Sequence, residues 1–181
     1  MEQIIIYGSR YGSTRRYAEK LSELTGIPAT DCSQIPDLSE ITTVIYLGGL
    51  YAGGVLGLKS TLRAVCSPEK RNWIIITVGL ADPKDPQNQQ TLRTSLKKQL
   101  PPALFHRAAI FHLRGAIDYG RLCLGHRTMM ALLYRSIRHL PLQQQSAENR
   151  AMIETYGRQV DFTDFRALKP IAEQIQQHST F

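Results

Sequence analysis

The sequence is poor in residues that build covalent or metal-centred frameworks. Its 181 residues hold three cysteines, Cys32, Cys66 and Cys123, far apart and without a C-x-x-C spacing. This excludes a disulfide frame and a cysteine zinc site, and reads as reduced thiols in a cytosolic compartment. The five histidines, His106, His112, His126, His139 and His178, show no metal-ligand pairing, so single polar or packing roles are expected. No Ser/His/Asp constellation can be assembled. No apolar run approaches the ~20 residues of a membrane span. The start, Met1-Glu2-Gln3, lacks the basic region of a secretory leader and runs straight into a strand. Repeats, low-complexity tracts and dividing linkers are also missing, so residues 1–181 are expected to form a single domain.

Two common nucleotide motifs are absent. A P-loop needs Gly-x-x-x-x-Gly-Lys followed by Ser or Thr, and the dinucleotide fingerprint needs Gly-x-Gly-x-x-Gly. The first turn offers only Gly8 and Gly12, with no lysine. The third strand ends in Gly48-Gly49, not in Asp, which disfavours a phosphate-receiving signalling domain of similar topology.

Acidic residues are scarce in one region. Residues 1–90 carry nine basic and nine acidic side chains, and residues 91–181 carry thirteen and six. The net charge of +7 therefore arises in the second half, and between positions 86 and 147 nine bases face one acid, Asp118. Such asymmetry suits an anionic partner: a membrane surface, an acidic protein or nucleic acid. Nucleic acid is not expected, because no recognised binding module accompanies the charge.

What the chain does contain is a regular alternation. Apolar strand-like runs fall at 4–7, 29–32, 43–47, 73–78 and 109–113, with helical candidates at 14–24, 58–66 and 89–100. Continuous apolar strands argue for a parallel sheet covered on both faces, and the alternation for a doubly wound α/β fold. Ligands of such sheets sit outside the carboxyl ends of the strands.

Three loops at those ends have ligand chemistry. The first strand opens through Ser9-Arg10-Tyr11-Gly12-Ser13-Thr14 into a helix. A helix N-terminus offers unpaired N–H groups and partial positive charge, and the hydroxyls add donors, which suits a terminal monophosphate. An ordinary capped turn is the competing reading. After the third strand, Gly48-Gly49-Leu50-Tyr51-Ala52-Gly53-Gly54 permits close backbone approach and presents an aromatic that could stack on a planar ligand, or simply pack. After the fourth comes Thr77-Val78-Gly79-Leu80.

Together these loops resemble the flavodoxin family, itself an instance of the strand-end rule. More narrowly the sequence is similar to the flavodoxin-domain group that includes menaquinone-dependent protoporphyrinogen oxidase. This is carried by residues 9–14, 48–54, Leu113-Arg114-Gly115-Ala116-Ile117-Asp118-Tyr119, the basic segment after it, and Asp161-Phe162-Thr163-Asp164-Phe165. The resemblance implies a five-stranded parallel sheet of order 2-1-3-4-5, with residues 116–160 as a basic helical insertion near strand five. It implies noncovalent FMN and electron transfer with a redox partner protein or a quinone. The phosphate would be held by Ser9, Arg10, Tyr11, Gly12, Ser13 and Thr14. The ring would be bordered by Gly49, Leu50, Tyr51, Ala52, Gly53 and Gly54, and by Thr77, Val78, Gly79 and Leu80. A quinone-linked protoporphyrinogen oxidase, and a flavin-free domain binding an acidic partner, are the alternatives.

Within the insertion, residues 121–140 read as an amphipathic helix stopped by Pro141. Met130, Leu133, Ile137 and Leu140 share one face, and Arg127, Arg135 and Arg138 the opposite one. Such a helix packs on its domain with its arginines in water, or meets an anionic membrane peripherally, at the inner face if the protein is cytoplasmic.

Overall fold

The structure, a computed structural model, describes residues 2–51 and 53–179. Along the chain run β1 (Glu2–Gly8), α1 (Ser13–Thr25), β2 (Ala29–Asp31), β3 (Ile41–Tyr51), β4 (Gly54–Val55), α2 (Leu58–Ala64), β5 (Asn72–Gly79) and α3 (Pro86–Gln99). Then follow α4 (Pro102–Arg107), β6 (Ala109–Arg114), β7 (Ala116–Asp118), α5 (Leu124–Ile137), α6 (Ala147–Thr155), β8 (Gln159–Asp161) and α7 (Lys169–Ser179). Five strands pair in parallel in the order β2-β1-β3-β5-β6, which is the expected 2-1-3-4-5 in sequence terms. The fold is α/β, with helices flanking a mostly parallel sheet.

Alternation along each strand explains why both faces are covered. Ile4, Ile6, Val44, Tyr46, Trp73 and Ile75 point to the face holding Leu58 of α2 and Leu96 of α3. Ile5, Ile45, Leu47, Ile74 and Ile76 point to the face holding Tyr17 and Leu21 of α1 and Ile171 and Ile175 of α7. Two-sided burial is why these strands are continuously apolar. Truncating a buried isoleucine such as Ile5 or Ile75 to alanine is expected to cost about 2–5 kcal/mol.

The structure departs from the expected five-stranded sheet in two places. A short β4 pairs antiparallel with β3 through Leu50–Val55 and Tyr51–Gly54, bending the glycine loop back on itself. The insertion is not purely helical: β7 and β8 pair antiparallel at its base, with α5 and α6 between them. A satellite cluster of Ile117, Tyr119 and Leu122, joined by Tyr11, Met130 and Tyr156, packs the insertion onto the first loop. Tyr134 stacks on Tyr156 with centroids 4.0 Å apart. Arg150 ties α6 to α3, meeting the Asp85 carboxylate at 3.0 Å, and Asp85 also caps α3 by accepting the Gln87 N–H. Among the described residues no helix is long and apolar enough to cross a membrane.

Candidate functional site

At the carboxyl ends of β1, β3, β5 and β6 lies a cavity of about 380 Å³, within the size range of small-molecule sites. A groove of similar volume runs between the start of α3 and β6, but no glycine loop or strand-end hydroxyl lines it.

One end of the cavity is built by the start of α1. Gly12 caps the helix at φ 89°, a left-handed conformation that favours glycine. It turns the buried Ser13 and Thr14 toward the strand ends. Bare backbone faces their hydroxyls: a Cβ on Gly49 would lie 3.2 Å from Thr14 Oγ1, and one on Gly115 2.8 Å from Ser13 Oγ. Two hydroxyls at a helix N-terminus, beside Arg10 at the same end, form a seat for an anion.

The remaining walls are largely apolar. Leu50 and Tyr51 stand on one side, and Val78, Gly79 and Leu80 on another. A Cβ on Gly79 would fall 2.6 Å from Leu50 Cδ1, so its bareness lets these two walls meet. The glycine loop is held from below. The Val55 N–H donates to Gln99 Oε1 at 3.0 Å, the Ser95 hydroxyl to the Gly53 carbonyl at 3.3 Å, and the buried Tyr46 hydroxyl to the Leu56 carbonyl.

The insertion supplies a cover. Met129, Met130 and Leu133 of α5 and Glu148, Asn149 and Met152 of α6 line the same cavity. His126 Nε2 lies 2.9 Å from an Arg10 nitrogen and 3.0 Å from the Tyr51 hydroxyl. The Tyr11 ring meets His126 edge-on, and burial, before any other cause, pushes its hydroxyl up from the ordinary range. Burial also raises the Glu148 carboxyl.

Of the residues expected from sequence, Arg10, Tyr11, Ser13, Thr14, Gly49, Leu50, Tyr51, Gly53, Gly54, Val78, Gly79 and Leu80 come together around this cavity. Ala52 lies outside the described residues. Ser9 is not in the lining; its hydroxyl accepts the Arg15 N–H at 3.2 Å and so occupies one donor of the helix start. Gly12 acts through its backbone turn. Thr77 is a correction. It pairs in register with His112 across β5 and β6, and its buried hydroxyl bonds His112 Nδ1 at 2.7 Å. Strand alternation sends it to the opposite face from Val78.

The residues that sequence reading missed lie mostly in the cover. His126 had only its place three residues before Met129, on the inner side of a helix, to mark it. Glu148 and Met152 carry a four-residue helical spacing but no chemical motif.

A family model described as flavodoxin domain matches residues 4–139. Among curated proteins none matches the sequence. Among solved structures, a cysteine-to-alanine mutant of flavodoxin from Pseudomonas aeruginosa aligns at 17% identity, covering 73% of this chain and 93% of that one, with TM-score 0.40. A flavodoxin from the domain Archaea aligns at 12% identity over 62% and 84% of the two chains, TM-score 0.38. The Trp repressor binding protein from Bacillus subtilis aligns at 18% identity over 63% and 83%, TM-score 0.41.

Proposed function

Because this chain belongs to the flavodoxin-domain family, we propose that it binds FMN noncovalently and transfers electrons between a donor and a redox partner protein or quinone. The observation that carries this reading is the meeting, in one cavity, of an anion seat and largely apolar walls. Ser13, Thr14 and the first N–H groups of α1 suit a terminal phosphate, and Arg10 adds charge. Leu50, Tyr51 and Leu80 suit the two sides of an aromatic ring. The glycines Gly49, Gly79 and Gly115 leave the room that a Cβ would fill. The residues present therefore fit FMN.

Bound flavin supplies one- and two-electron redox chemistry. This chain's own part is to hold the phosphate, fix the ring between its two loops and keep water away beneath α5 and α6. The apolar walls, together with Arg10 and Glu148 in the lining, set the polarity that tunes the potential.

A second reading, a quinone-linked oxidoreductase of protoporphyrinogen-oxidase type, is favoured by the cover. Met129, Met130 and Met152 are adaptable thioethers suited to a large apolar reactant.

The deciding experiment is an absorbance spectrum of the purified protein with identification of the released flavin. One FMN per chain is expected. A colourless protein that takes up no added FMN overturns the reading and leaves a flavin-free interaction domain. Turnover of protoporphyrinogen with a quinone acceptor separates the second reading from the first.

A further inference from the structure

Helix α5 is apolar on two sides. Its inner side carries His126, Met129, Met130, Tyr134 and the buried Ile137. At about 100° per residue, Leu124, Thr128, Leu132 and Arg135 share the outer side. Leu124 is 82% exposed and Leu132 62%; Leu142, just beyond the helix, is 75% exposed. A single exposed leucine is ordinary. Here three fall within one short basic segment. Between Asp118 and Glu148 the sequence holds four arginines and no acid. Arg121 meets Asp118 at 3.6 Å, and Arg138 donates to His139 Nε2 at 2.9 Å. Arg127 and Arg135 are exposed and, among the described residues, meet no carboxylate.

We propose that the outer side of α5 and the turn after it dock peripherally on an anionic lipid surface, Leu124, Leu132 and Leu142 entering the acyl boundary while Arg127, Arg135 and Arg138 meet headgroup phosphates. The inner side of a packed helix is satisfied by its domain; the outer leucines are not. They project singly from a convex helix, which a fluid interface accommodates and a preformed protein socket would have to match one by one. A second copy is disfavoured because self-pairing would bring arginine against arginine. The surface stands independently of the flavin reading.

The test is flotation of the full chain with phosphatidylglycerol-containing vesicles, against pure phosphatidylcholine, at low and high salt. Wild type is expected to bind the anionic vesicles and to release with salt. The triple change Leu124→Ser, Leu132→Ser and Leu142→Ser keeps every charge and should weaken binding by about tenfold or more. The triple change Arg127→Gln, Arg135→Gln and Arg138→Gln should weaken binding and remove most of its salt dependence. FMN content should stay at the wild-type level in both. Leu132→Trp should shift its emission to the blue on vesicles and be quenched by brominated lipid. Wild type that ignores anionic vesicles at low salt overturns the proposal, as does a leucine variant that binds like wild type. Binding to an immobilised acidic peptide without vesicle binding assigns the face to a protein instead. A dimer that the leucine changes dissociate assigns it to a second copy.

Discussion

His126 Nε2 lies 3.0 Å from the Tyr51 hydroxyl, joining the insertion helix to the glycine loop across the mouth of the cavity. The same nitrogen faces Arg10, which can only donate, so it serves Arg10 as an acceptor. Changing His126→Ala removes a tie across the cover and leaves the strand ladders' own backbone bonds in place. Loss of a net hydrogen bond contributes about 0.5–1.5 kcal/mol, equivalent to up to about tenfold in dissociation rate. Stopped-flow release of FMN should show that acceleration, with the thermal midpoint little changed. Equal release rates would mean that the tie does not retain the ligand.

The two ends of the first loop should separate in mutagenesis. Thr14→Ala removes a hydroxyl at the anion seat, and a charge-assisted bond contributes about 1.5–3 kcal/mol. FMN affinity should then fall by roughly ten- to a hundredfold. Ser9→Ala removes only the acceptor for the Arg15 N–H. It should lower stability by about 1 kcal/mol or less and barely change affinity. Titrations of both variants, with melts, check this; unchanged affinity for Thr14→Ala would remove Thr14 from the seat.

Gly115→Ala should act through Ser13. Its Cβ would meet Ser13 Oγ and Val78 Cγ1, each at 2.8 Å, so both must shift. Overpacking of this kind costs about 1–3 kcal/mol. Weaker FMN binding is expected along with the lost stability. Adding Ser13→Ala to Gly115→Ala should relieve the crowding and restore part of the thermal midpoint.

Asp161 makes the stability pH-dependent. Burial works against its charged form, but the bonds it accepts from the Arg16 guanidinium and the Thr163 N–H prevail, lowering its pKa to about 2. Arg16 Nη1 sits 2.6 Å from Asp161 Oδ2, linking α1 to β8. A depressed carboxyl stabilises the fold above its unfolded pKa of about 3.9 and loses that contribution as pH falls toward 2. Both side chains are nearly half exposed, so screening limits the gain to about 1 kcal/mol. Urea unfolding should place Asp161→Asn below wild type at pH 6, the difference shrinking as pH falls through the acid range. A constant difference would show that the ion pair is not its source.

Much of the sheet is legible in the sequence because its signals are local. The strand runs ending at Gly8, Gly48-Gly49 and Gly79 each carry their own apolar pattern and turn. Thr77 falls on the wrong face when strand parity is neglected: Trp73, Ile75 and Thr77 share a face, and Val78 belongs to the other. The inner face of α5 shows in the pattern at Met130 and Ile137. The outward leucines Leu124 and Leu132 escape it because a helix apolar on two sides has no single stripe to follow.

The sequence by itself determined the alternation of strand and helix, the hydroxyl-rich start of α1 and the uneven charge, since each depends on neighbours within a few residues. Only the tertiary structure decided that Arg10, Tyr51 and His126 share one mouth, and that α5 and α6 close over loops from the other half of the chain. Periodicity states which face of an element is apolar. Which distant surface covers that face depends on how the insertion packs through Tyr119, Tyr134 and Tyr156, and no local pattern encodes that.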